Sequence, residues 1–260
     1  MMAAAGSRVT VDDGGVITLQ ARGMPYRELN AQLGELVNRG IRRIVVRGVA
    51  GQRYLGTNLQ KQVQITIEGV PGNDLGAFMD GPIIEVMSSA QDGCGNTMNS
   101  GKIVIHGSAG DIVGHSMRGG SIFVRDNVGY RVGIHMKEYE SVRPVIVIGG
   151  TAQHFLGEYM AGGILIVLGR GQEPDIHHPS HYVGTGMHGG VIYMRGQVET
   201  DFLGKEVGLT PITQEDEWVL RQYVGEYAEY FGGDLEELLA IPFTKLVPLT
   251  KRPYGRLYAY

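Results

Sequence analysis

Four groups of residues have types and spacings that could do chemistry. Gly184-Thr-Gly186-Met-His-Gly189 satisfies the dinucleotide string G-x-G-x-x-G, and Asp175, His177, His178 and His181 gather metal-ligating side chains in one stretch. Cys94 offers a thiol, and His115 or His135 could serve as the base of an independent β-helical acyltransferase. Each has a plainer reading. A dinucleotide site needs a helix after the glycines to aim amides at the pyrophosphate, whereas here the strand-forming run Val191-Ile-Tyr-Met194 follows. The Asp/His spacing matches no zinc motif, and Pro179 breaks any helix that could align it; a loop that is solvated or touches another chain is expected, with a divalent metal as the alternative. Cys94 lies between Gly93 and Gly95, where a tight turn tolerates a small residue. His106, His115, His135, His154 and His188 fall at different offsets from the nearest repeating glycine and suggest no single column. Met1-Met2-Ala3 supplies no N-terminal nucleophile, and neither a Gly-x-Ser-x-Gly elbow nor a P-loop occurs. The expectation is therefore no catalytic, cofactor-binding or metal-binding residue in this chain.

Whatever these side chains do, glycine positions them. The chain has 41 glycines in 260 residues, roughly twice the usual share of about 7%. Collagen would need glycine at every third position, and a disordered glycine-rich chain would lack the 43% hydrophobic content. Regularly spaced tight corners remain. The charge balance, 23 Lys+Arg against 27 Asp+Glu, leaves no surplus to neutralise a phosphate backbone, so nucleic acid is not an expected partner. No apolar run approaches the roughly 20 residues of a membrane span, and the N-terminus carries no secretory pattern. One cysteine closes no disulfide and holds no iron–sulfur cluster, so a cytoplasmic setting fits and any redox centre belongs to another chain.

The corners recur as Gly-x-x-Met. Gly76/Met79, Gly95/Met98, Gly114/Met117 and Gly133/Met136 follow one another at 19 residues, with Gly56/Leu59 20 residues before them. Gly157/Met160 and Gly184/Met187 follow after gaps of 24 and 27, and Gly204/Val207 resembles a degenerate eighth unit. After each comes a short β-rich run, from Val63-Gln-Ile-Thr-Ile67 through Val145-Ile-Val-Ile148 to Val191-Ile-Tyr-Met194. One strand and one corner every 19–20 residues describe a single-stranded right-handed parallel β-helix of about seven coils, whose Met/Leu positions stack as an interior ladder. Leucine-rich repeats, hexapeptide helices and propellers need other consensus patterns or periods. The two long gaps read as insertions near residues 137–144 and 172–181, the best candidates for partner contact.

An open solenoid needs caps. Leu29, Leu33 and Leu36 predict an amphipathic helix over residues 25–38, followed by a strand over 43–47. Thr213 followed by Glu215, Asp216 and Glu217 predicts a helix of about 17 residues ended by Gly232-Gly233. Asp234 then opens a short helix, and the segment from 243 to 260 reads as extended, packed on the solenoid or docked on another chain. This divides the chain into an N-terminal extension and cap (1–47), the β-helix (48–208) and a C-terminal helical tail and arm (209–260).

Several segments resemble the β-helical Gly-x-Gly-x-Gly domain near the C-terminus of the glutamate synthase large subunit. They are Gly48-Val-Ala-Gly-Gln-Arg-Tyr-Leu-Gly56, Gly110-Asp-Ile-Val-Gly-His-Ser-Met-Arg-Gly-Gly120, Gly157-Glu-Tyr-Met-Ala-Gly-Gly163, Gly184-Thr-Gly-Met-His-Gly-Gly190 and Phe243-Thr-Lys-Leu-Val-Pro248. The resemblance spans roughly residues 25–250 and implies a stand-alone version of a domain that carries no catalytic residues and spaces two active sites. It implies that a glutaminase-type amidotransferase subunit and an FMN/iron–sulfur synthase subunit are separate chains. The same fold is similar to the scaffold subunit of formylmethanofuran dehydrogenase and of formyltransferase/hydrolase complexes, and to a methylglutamate synthase subunit. The helical tail places this chain nearer the glutamate synthase type.

Overall fold

The computed structural model describes residues 9–11, 15–172 and 177–250. Its centre is a parallel solenoid wall of nine strands in sequence order: β2 (Ile17–Gln20), β3 (Arg43–Ala50), β4 (Gln64–Val70), β5 (Asp80–Val86), β6 (Ser100–Ile105), β7 (Ser121–Val124), β8 (Val145–Ile148), β9 (Ala161–Val167) and β10 (Gly189–Arg195). Register is kept by one apolar column. Ile44, Ile65, Ile84, Ile103, Ile122, Ile146, Leu165 and Ile192 are paired neighbour to neighbour, and all are buried. Slipping any strand by one residue would turn its member of that column to the outside.

The opposite wall is made of the corners. Gly76, Gly95, Gly114, Gly133, Gly157 and Gly184 each donate their amide to the carbonyl before the glycine one coil earlier, as in Gly114 N to Cys94 O and Gly133 N to Val113 O, both 2.8 Å. The seven corners from Gly56 to Gly184 enclose six complete turns, one fewer than the seven coils expected, because that count gives every corner a turn of its own. At the strand spacing of about 4.8 Å the rod between first and last corner is about 29 Å long. Gly204 extends the ladder through Val183 O at 2.7 Å, but the next strand leaves the parallel pattern.

Between the walls lies a single layer of side chains. Met79, Met98, Met117, Met136, Met160 and Met187 are buried in one apolar core with the isoleucine column. The strand side chains reach the corner backbone itself: a Cβ on Gly114 would lie 2.3 Å from Ile146 Cδ1, and one on Gly95 2.4 Å from Ile122 Cδ1. Backbone angle alone does not demand glycine there, since Ile112 and Ser116, two residues to either side of Gly114, hold φ of 52° and 53° with their side chains in place. What excludes a Cβ at Gly114 is the isoleucine across the core.

Both ends are closed. β1 (Val9–Val11) pairs antiparallel with β2, and α1 (Tyr26–Asn38) lays Leu29, Leu33, Leu36 and Val37 over the first coil. At the other end β12 (Phe243–Pro248) adds antiparallel to β10 and β11 (Val207–Thr210) antiparallel to β12, so part of the segment expected as an extended arm is a sheet strand. Residues 251–260 of that arm lie outside the described residues. Between them α2 (Gln214–Phe231) packs Leu220, Val224 and Tyr227 on the outer face of β7–β10. That is why Val145-Ile-Val-Ile148 is apolar throughout and wholly buried, whereas β4, with its outer face uncovered, alternates buried isoleucines with Gln64, Thr66 and Glu68. α3 (Leu235–Ala240) turns the chain back toward β12, its start capped by Asp234 accepting from Glu237 N at 3.0 Å.

α2 is anchored by Asp216. Its carboxylate accepts from Tyr193 Oη at 2.5 Å, Lys245 Nζ at 2.7 Å and the Thr213 amide at 2.7 Å, tying the helix start to β10 and β12. Burial alone pushes this acid up, but the hydrogen bonds from Lys245, Tyr193 and Thr213 outweigh it and hold the pKa at about 2.

Candidate partner-binding surface

The dinucleotide string and Cys94 are absorbed by the fold. Gly184 is a corner, β10 begins at Gly189, and the Gly186 amide is taken by Glu206 Oε2 at 2.9 Å, so the dinucleotide string opens a strand and not a helix. Cys94 is fully buried, its thiol donating to Gln91 O at 3.3 Å; burial first, then Asp92 and Asp74, push its pKa up to about 12. A thiol so placed is protonated at neutral pH and fits neither a nucleophile nor a cluster ligand.

The His-rich insertion disperses rather than converges. His177 Nε2 meets Glu199 at 3.0 Å, while His178 is buried with Nε2 donating to Arg195 O at 2.8 Å, and burial lowers its pKa. His181 turns to the corner edge, and Asp175 lies outside the described residues. Among the described residues no three acidic, His or Cys groups are arranged to hold a metal ion. His106 pairs with Glu85 at 2.8 Å beneath Phe231, and His188 Nδ1 faces Gly186 O at 3.3 Å.

The outer edge of the corners carries the unusual chemistry. At each corner the residues two before and two after the glycine have positive φ, and from Gly56 to Gly157 their amides point to the coil above while the glycine's, from Gly76 on, points below: Ile112 N reaches Tyr130 O and Ser116 N reaches Ile134 O, each at 2.8 Å. Their side chains face outward. Asparagine, aspartate or glycine would fill such positions at least cost. Asn58, Asp74, Gly93 and Gly186 do so at four of them, but Tyr54, Phe78, His135, Phe155, Tyr159 and Tyr182 fill six others, each a left-handed residue costing about 1–2 kcal/mol. Bulky rings in strained, outward-facing positions make this edge the candidate surface.

Over the last four corners, Gly114 to Gly184, these rings form side-by-side columns. Arg131 lies 4.6 Å over Phe155, which stacks on Tyr182 at 4.9 Å. His115 meets His135 at 6.1 Å, and His135 lies flat on Tyr159 at 5.3 Å; burial, then the His135 charge, lowers the pKa of His115. A third column, three residues before Gly133, Gly157 and Gly184, runs Tyr130, His154 and His181 and ends on Phe202, two residues before Gly204, with ring centroids 5.6, 4.8 and 3.8 Å apart. His154 Nδ1 accepts the His181 amide at 3.1 Å, which places its own proton on Nε2. The offsets in the sequence suggest no histidine column as long as His181 is grouped with the insertion; counted back from Gly184, it occupies the same place as His154 before Gly157. Tyr130, Tyr159 and Tyr182 remain 44–55% exposed. Beside them the insertion over residues 137–144 folds as a small hairpin, Tyr139 and Val142 exchanging backbone hydrogen bonds at 2.9 and 3.0 Å with both side chains exposed. Exposed tyrosine and arginine are residue types enriched at the energetic centres of protein interfaces.

The GXGXG motif family matches this chain over residues 31–249. The chain belongs to that family. Within its range fall all seven corners and the Gly-x-x-Met units. The GXGXG chain is 46% identical over 250 residues to the uncharacterized protein MJ1350 of Methanocaldococcus jannaschii, covering 93% of this chain and 96% of that one. It is 27% identical over 160 residues to ferredoxin-dependent glutamate synthase 2 of Synechocystis; the match takes in 58% of this chain and spans only 10% of that much longer enzyme. In fold it is similar to a chain of the formyltransferase/hydrolase complex of Methylorubrum extorquens solved with methylofuran, at 22% identity, a TM-score of 0.57, and 76% and 69% coverage of the two chains.

Proposed function

We propose that this GXGXG protein is a non-catalytic coupling subunit of a multi-subunit oxidoreductase of the glutamate synthase type, holding a glutaminase-type amidotransferase subunit and an FMN/iron–sulfur synthase subunit at a fixed separation. The observation that supports this reading is the packed interior: among the described residues, isoleucines of one wall reach the corner glycines of the other, as a stiff rod requires. In this reading FMN and the clusters reside on partner chains, this chain holds no cofactor of its own, and the aromatic–histidine edge with its flanking hairpin is a side to which a partner binds.

A second reading within the scaffold class, the scaffold role in a formyltransferase/hydrolase-type complex, draws support from the fold neighbour, a chain of such a complex. Affinity purification from native extract separates the two. Co-elution of a flavin-absorbing chain with an amidotransferase is expected; co-elution of hydrolase-like chains would replace the first reading by the second, and recovery of no stoichiometric partner would overturn both.

A further inference from the structure

The first coil carries a charge that the rest of the molecule does not. Residues 20–62 contain seven arginines and one lysine against Glu28 and Glu35, an excess of six positive charges in a chain whose total is −4. Part of this is neutralised locally, Arg39 lying 3.8 Å from Glu35 and Arg47 3.0 Å from Glu68. Arg27 and Arg53 are different. Each guanidinium lies over the ring of Tyr26, 5.6 Å from its centroid, and no carboxylate among the described residues stands within ion-pair distance of either. The cluster is held in place: the Asn30 side chain donates to Tyr26 O at 2.8 Å and to Arg53 O at 2.9 Å, and Tyr54 closes on Tyr26 at 5.8 Å. Together Tyr26, Arg27, Asn30, Tyr54 and Thr57 line a cavity of about 370 Å³ between α1 and the first corner.

Two exposed guanidiniums over one ring, Arg27 lining the concavity and Arg53 next to its lining residue Tyr54, are positioned to grip carboxylates in paired hydrogen bonds. Duplex or single-stranded nucleic acid would require a basic stripe extending along the molecule, and above the first coil the net charge is negative. Arginine and tyrosine at a depression are instead the residues that concentrate binding energy between proteins, and the charge asymmetry would steer an acidic surface to this end. Resting on the scaffold reading above, we infer that the α1 end of the rod docks an acidic surface of a partner protein, whose carboxylates seat between Arg27 and Arg53.

The test uses the full chain and two probes, fluorescent poly-L-glutamate and a single-stranded oligonucleotide of equal charge, titrated at low ionic strength. Poly-L-glutamate should bind more tightly than the oligonucleotide. Arg27→Glu/Arg53→Glu should weaken it by about tenfold or more, and Lys205→Glu at the far end by less than about twofold. Both arginines are exposed, so the thermal midpoint should be retained, and an Arg27→Lys/Arg53→Lys pair should keep only part of the affinity because lysine loses the paired geometry. Equal losses in the charge-reversed pair and in Lys205→Glu, or tighter oligonucleotide binding, would overturn the inference. In native extract, a partner retained undiminished by the double variant sinks this surface while leaving the scaffold reading intact. If wild-type protein recovers no partner, the scaffold reading fails, and the titration still decides the surface.

Discussion

Gly114→Ala is the substitution that most directly tests why the corners are glycine. It adds one methyl at a φ of 68° and 2.3 Å from Ile146 Cδ1. The left-handed backbone costs alanine about 1–2 kcal/mol and overpacking a filled core about 1–3 kcal/mol, so the variant should lose about 2–5 kcal/mol. The two parts separate because the obstruction is one carbon. Ile146→Val deletes Cδ1 and keeps Cγ1, which at 3.5 Å is in ordinary contact. Alone that truncation should cost about 0.5–1.5 kcal/mol. In the double variant the clash is gone and the backbone strain stays, so it should be less destabilised than the sum of the single variants by about 1–3 kcal/mol. Urea denaturation followed by far-UV circular dichroism and by fluorescence, with coincident transitions, supplies the four free energies. Ser116→Ala is the control, since Ser116 already holds a Cβ at a φ of 53°, and it should change stability by less than about 1 kcal/mol. Additivity to within about 0.5 kcal/mol would refute the claim that the strand across the core dictates the corner residue.

Four further outcomes follow from the other contacts of the fold. Asp216→Asn leaves the Lys245 ammonium half of a broken, largely buried pair and should cost about 3–5 kcal/mol, with α2 losing amide-exchange protection; unchanged protection would show that α2 is held by its apolar face alone. Because the Asp216 carboxyl falls from 3.8 to about 2 on folding, its contribution is complete above the unfolded value and is lost as pH drops through about 2, so wild-type stability should fall more steeply than that of Asp216→Asn over this interval. Cys94 should react with a thiol reagent only as fast as the chain unfolds, its thiol being buried and pushed up to about 12; rapid stoichiometric labelling of native protein would contradict the packed interior. Tyr159→Asn/Tyr182→Asn should leave the thermal midpoint within a few degrees, since asparagine tolerates positive φ, while partner retention drops about tenfold or more; a collapse in stability would make the aromatic edge a folding device instead.

The solenoid is legible in the sequence because its determinant is local. Each corner needs glycine for a contact that every coil repeats, so the period stands out as Gly-x-x-Met even where insertions stretch it to 24 and 27 residues. The start of α2 is legible for the same reason, Thr213 and Asp216 forming a capping box within four residues. Its docking place is harder to read, although a signal exists: the loss of alternation from β7 onward marks strands covered on both faces. The strand β12 looks like an arm in sequence because its partners, β10 and β11, pair with it only after α2 and α3 have turned the chain back. The aromatic edge is invisible for an energetic reason. Propensity argues against Tyr and Phe at positive φ, so no local rule places Tyr159 or Tyr182 there; the ladder of amides holds Tyr159, whose N–H reaches Thr185 O at 2.8 Å.

The basic cap and the aromatic edge sit at different heights on one rod. Arg53 and Tyr54 flank the first corner, Tyr182 and His181 the seventh, six coil steps of about 4.8 Å apart. A β-solenoid is suited to fixing such an interval because stretching it requires breaking two hydrogen-bonded walls together, the strand ladder and the corner ladder, with a single close-packed layer between them. A helical spacer of equal length would have one set of internal bonds and could bend. The ends differ in chemistry, a basic helical cap at one and an antiparallel β11–β12 pair at the other, so the rod has a direction and unlike partners can be told apart by charge before any apolar contact forms. Lengthening the rod by one duplicated coil, residues 95–113, would displace the aromatic edge from the basic end by about 4.8 Å without altering either surface. If partner binding survives that insertion while coupled activity of the complex is lost, the separation itself is the function; if coupled activity survives, the rod is only a tether.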